Sequence, residues 1–160
     1  MMIYLYLPFF IILAGAAWCD IKASRIPNWL TLPPAAVALA LALIFGGVNI
    51  FYDRVLGAAL VGGVWLIFWR FGIIGGGDQK LMFFVGSFLG LRLAVPVIFF
   101  VALAGGIQAL VFMLYKYFWP NNFLNLSTLR NIPMPYAVAI ASGTLASVLF
   151  GSRLLVIVGW

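Results

Sequence analysis

Three aspartates are the only acidic side chains in this 160-residue chain, which contains no glutamate and no histidine. They are Asp20, Asp53 and Asp78. Asp78 follows Gly75-Gly76-Gly77 and precedes Gln79-Lys80, between two long apolar runs. An ionisable group at membrane depth is costly and marks a functional candidate. Glycines beside it let backbone approach closely or take a positive φ. Two carboxyl groups a few Å apart do not both ionise easily, so they share a proton. The ionised one draws a proton from water as general base, and the neutral one protonates a carbonyl as general acid. That is the chemistry of an aspartic peptidase. The two groups titrate as a unit, so the sequence assigns neither role to either residue. A Mg²⁺-dependent transfer to lipid is the rival chemistry. It ranks lower, because each site would have one aspartate and no histidine or glutamate beside it. In the plainest alternative the aspartates are solvated helix-end charges, with Asp78 gaining from a helix dipole.

The elements that must bring two aspartates together are membrane helices. The chain is 66% hydrophobic and 8% charged, where a soluble domain averages about 25% charged. Near-spanning apolar runs cover residues 2–19, 29–45, 55–71, 78–91, 94–115 and 137–150. They predict an all-α polytopic membrane protein of six transmembrane helices, a single domain over residues 1–160. Barrel strands would be shorter and alternate apolar with polar residues. The first run lacks a basic flank and a small-residue cleavage site, so it reads as a retained helix. A turn is expected at Gly46-Gly47-Val48-Asn49, and a polar connection at 116–130.

This order sets the geometry. Asp20 closes the first helix and Asp78 opens the fourth, with two crossings between them, so both lie at one membrane face. Asp53, beside Arg54, falls on the other. Of nine Lys and Arg, six lie on the side of Asp20 and three opposite, which puts that side in the cytoplasm and the N-terminus outside. The net charge of +6 reflects this topology, and nucleic acid is not an expected partner. Lys22 and Lys80, each two residues after an aspartate, read as snorkelling cations. Cys19, the one cysteine, reads as a small buried residue without a role. Gly57, Gly62 and Gly63 suit close helix contacts, as do the small residues Ala139, Ala141, Ser142, Gly143, Ala146 and Ser147. A substrate helix could pack on that last face. The Gly72–Gly77 stretch reads as a flexible gate.

Asp20 with Ile26-Pro27-Asn28, then Gly75-Gly76-Gly77-Asp78-Gln79-Lys80-Leu81-Met82, then Ile132-Pro133-Met134-Pro135-Tyr136 resemble the type IV prepilin peptidase family (peptidase family A24), Gly-x-Gly-Asp aspartic peptidases of the bacterial inner membrane. The order and spacing match over nearly the whole chain. The resemblance implies that Asp20 and Asp78 are catalytic, and that Gly75, Gly77, Asn28 and Lys80 shape the site. It also implies that no metal or organic cofactor takes part. The implied partners are the lipid bilayer and a prepilin or pseudopilin, whose short basic leader is cut at the cytoplasmic face. Association between copies of the chain is left open. The short length is most similar to the minimal branch linked to Flp/Tad-type pili. Larger members carry a cytoplasmic insertion with paired cysteines and also N-methylate the product. This chain has neither insertion nor pairs, so cleavage without methylation is expected. A scaffold or transporter of a pilus system is the non-enzymatic alternative.

Overall fold

The computed structural model describes residues 3–118 and 135–158. Among these the chain is helical throughout: α1 (Ile3–Ala23), a 3₁₀ turn (Asn28–Leu30), α2 (Leu32–Arg70), α3 (Gly76–Leu89), α4 (Leu91–Phe118) and α5 (Tyr136–Val158). Most of the 116–130 connection, and Ile132-Pro133-Met134, lie outside the described residues. The apolar outer surface identifies the environment. Phe45 is 77% exposed and Ile44 71%, and they belong to a long series of outward-facing large apolar side chains. Soluble monomers rarely expose such continuous apolar surface; acyl chains cover it in a membrane protein. Three helices are long and apolar enough to span, namely α1, α2 and α4, and α5 contains a shorter apolar stretch, Tyr136–Gly151.

α2 has 39 residues and would run about 58 Å if straight. It does not. Gly47 leaves the helical region at φ 74, ψ −178, a conformation open to glycine. Both ends of α2 lie at the first turns of α3. Asn28, just before α2, accepts a hydrogen bond from Lys80, and Trp69 at its far end lies against Gly76. The chain therefore doubles back at Gly47, within the expected turn, and α2 is a hairpin of two arms. The next helix, expected to start at residue 55, in fact resumes straight after Gly47 and stays helical to Arg70.

Glycines set how closely the second arm meets α3. A Cβ on Gly86 would lie 2.5 Å from the Gly57 carbonyl oxygen, and one on Gly62 would lie 3.0 Å from the Phe83 ring. Gly63 faces open space, so of the three expected contact glycines only two serve. α1 and α3 run antiparallel and meet through aromatic rings. Phe9 stacks on Phe88 with centroids 4.1 Å apart and interplanar angle 11°. Phe9 precedes Asp20 by about 17 Å of helix, and Phe88 follows Asp78 by about 15 Å. The stack therefore fixes a register that sets the two aspartates level. Leu13, Leu81 and Val85, none of them exposed, fill the space between.

The expected small-residue face of the last helix is real but occupied. A Cβ on Gly143 would lie 2.6 Å from Val101 Cα, so α4 packs there and the buried part of that face is not free for a substrate helix. The expected gate is also shorter than the glycine run. Gly76 and Gly77 begin α3, and the non-helical link is residues 71–75.

Candidate active site

Asp20 opens the last turn of α1, directly after the apolar run, and the helix continues one turn beyond that run to Ala23. The Ser24 N–H donates to the Asp20 carbonyl at 2.8 Å. Ser24 itself takes φ 49, a left-handed conformation uncommon outside glycine. It turns the chain out of α1 and into Ile26-Pro27-Asn28. Asp78 occupies the first turn of α3, where the backbone N–H groups have no helical acceptor and negative charge is favoured. Gly75 is the extended residue ahead of it, at φ −73, ψ 150.

The two aspartates line one cleft of about 250 Å³, together with Ser24, Arg25, Ile26 and Gly75–Gly77. Asp20 is 8% exposed and Asp78 9%. The Ala137 N–H donates to Asp20 Oδ2 at 3.0 Å. Asp78 Oδ1 is buried with no hydrogen-bond partner among the described residues. The two carboxyls are both almost wholly buried and face the same cleft, and carboxyls so placed do not both ionise easily, which favours one shared proton.

The glycines are explained by what stands against them. A Cβ on Gly75 would lie 3.1 Å from Asp78 Oδ2, and one on Gly77 would lie 3.1 Å from Ile26 Cβ. Gly75 leaves room for the carboxylate, and Gly77 lets the 24–28 loop close over α3. Lys80 Nζ donates to Asn28 Oδ1 at 2.8 Å, a direct link between the two segments that carry the aspartates. Lys22 lies 4.6 Å from the Trp18 ring centroid, so it turns to its own helix and not to the cleft. Asp53 is remote. It abuts Gly90, the residue that ends α3, about 18 Å along the helix from Asp78.

Two parts of the site escaped the sequence. Arg25 lines the cleft, although nothing in its spacing marks it beyond its contribution to the basic side. The Ala137 amide is a backbone group and carries no side-chain signal beyond the Pro135-Tyr136 that precedes it.

The family model for the type IV leader peptidase family matches residues 7–110 of the chain. That match covers α1 to α4 up to residue 110, and so both aspartates. No curated protein and no solved structure matches.

Proposed function

The chain belongs to the type IV leader peptidase family, and from that premise we propose that it is an aspartic endopeptidase that removes the leader of a type IV prepilin or pseudopilin. Asp20 and Asp78 are the catalytic pair. Gly75 and Gly77 give them space, and Asn28 and Lys80 hold their segments together. The observation that carries the reading is a shared cleft. Two buried carboxyl groups, far apart in sequence, line it together.

The reaction follows from the pair. With one proton between them, the ionised aspartate takes a proton from water as the oxygen attacks the scissile carbonyl. The neutral aspartate gives its proton to the carbonyl oxygen. The tetrahedral diol collapses as the first returns its proton to the leaving nitrogen and the second recovers one from a hydroxyl. The whole chain serves as one membrane domain. The two arms of α2 make separate crossings and, with α1, α3, α4 and α5, give six. The N-terminus lies outside, and the cleft opens at the cytoplasmic face, where Lys22, Arg25, Arg70 and Lys80 gather. No methyl transfer accompanies cleavage, because the insertion that accompanies it in larger members is missing.

The test is cleavage by the purified protein in liposomes, supplied with a candidate prepilin and S-adenosylmethionine. Leader release with an unmethylated product is expected. An intact prepilin across a panel of Flp-type substrates would refute the activity, and a methylated product would refute the restriction to cleavage.

A further inference from the structure

The two aspartates of the cleft are held differently. Asp20 Oδ2 accepts from the Ala137 N–H in a buried bond that joins residues 117 apart in sequence. Ala137 is the second residue of α5, a 23-residue helix. Its amide is one of the donors that a helix leaves without an internal acceptor, at the end where the helix dipole favours an anion. α4 fixes this end in place. Gln108 Nε2 donates to the Pro135 carbonyl at 3.0 Å, and the Tyr136 hydroxyl lies against Gly105. Among the described residues no donor reaches the buried Asp78 Oδ1, and Gly75 lies beside the other oxygen, Oδ2. An unpartnered oxygen in a buried site is better tolerated on a neutral carboxyl than on a carboxylate.

The geometry points to a division of labour: the Ala137 amide is a positioning group that holds Asp20 as the carboxylate that deprotonates water, and Asp78 carries the shared proton to the scissile carbonyl. This rests on the leader-peptidase reading and assigns the roles within it. The charged group that lines the cleft beside the pair is Arg25, from the loop after α1, while Lys80 on α3 is engaged by Asn28 and the Tyr136 hydroxyl on α5 lies against Gly105. From α4 the nearby polar group is Gln108. Of these, Arg25 lines the cleft with both aspartates and favours one negative charge in it.

The composition makes the proton visible. With three aspartates as the only acidic side chains, infrared spectra of protein labelled with ¹³C-carboxyl aspartate contain few bands. At about pH 6 one neutral-carboxyl band is expected, lost in Asp78→Asn and kept in Asp20→Asn and Asp53→Asn. A band lost in Asp20→Asn and kept in Asp78→Asn overturns the assignment. The second test replaces Ala137 by lactate, which exchanges the amide N–H for an ester oxygen and keeps the side chain. The acidic limb of the kcat/KM profile should move up by about one to two pH units, the worth of one charge-assisted hydrogen bond. An unmoved limb overturns the positioning role, since a purely structural bond would leave it in place. The two levels separate cleanly. If Asp20→Asn and Asp78→Asn both abolish cleavage but the proton resides on Asp20, only the division of labour fails. If both variants cleave normally, the aspartic-peptidase reading fails with it.

Discussion

Gly75→Ala is expected to slow cleavage without unfolding the protein. The added methyl would stand 3.1 Å from Asp78 Oδ2, and ordinary contact begins at 3.4 Å, so the carboxylate must retreat by about 0.3 Å. Among the described residues nothing hydrogen-bonds Asp78 Oδ1 to resist that movement. A misplacement of about 1 Å at a reacting group lowers rates by about 10²-fold, and scaling the logarithm with distance gives roughly a fourfold loss in kcat. Stability should barely change. The backbone at Gly75 is extended, at φ −73 and ψ 150, which alanine adopts freely. Reduced freedom of the unfolded chain contributes about 0.4–1 kcal/mol, and the poorer helix cap offsets it by about as much. Initial rates of leader release by purified wild-type and variant protein, with a thermal melt of each, decide the matter. A variant that cleaves at the wild-type rate would show that the carboxylate position beside Gly75 is not the one that reacts. A loss of rate that tracks a loss of melting temperature would show a structural effect instead.

Lys80→Met and Asn28→Ala should each lower cleavage several-fold, and the double variant should be no slower than the slower single one, since both remove the same 2.8 Å bond. Fully additive losses in that cycle would show that the two act independently. Gly86→Ala forces a methyl to within 2.5 Å of the Gly57 carbonyl oxygen and should destabilise the bundle by about 1–3 kcal/mol. Gly63→Ala, which meets open space, should melt at or slightly above wild type, since alanine suits a helix interior better than glycine; equal melting of the two variants would refute the close approach of α2 and α3.

What was legible in the sequence was the family and the meeting of two distant aspartates. The rarity of acids singled out Asp20 and Asp78, and the structure brings both to one cleft. The turn around Gly47 was legible because glycine there interrupts an apolar run too long for one crossing. Helix ends were less so. α1 continues to Ala23 past Asp20, because hydropathy marks where apolar character stops, not where backbone hydrogen bonding does. Arg54, expected between the turn and the next helix, lies within a helix. The contacts of the small residues were not legible either. The sequence offers the Gly143 face to any helix, and only the fold shows that α4 takes it. The Lys80–Asn28 bond joins two motif residues whose pairing no spacing rule gives. The Ala137 amide was out of reach for a simpler reason, since every residue but proline has one.

The central claim is that Asp20 and Asp78 act as one proton-sharing centre. Its most direct test is leader cleavage by Asp20→Asn, Asp78→Asn and Asp53→Asn, each inserted in the membrane and folded. The first two should leave the prepilin uncut, while Asp53→Asn, about 18 Å of helix away, should still process it. Normal processing by either of the first two would contradict the account.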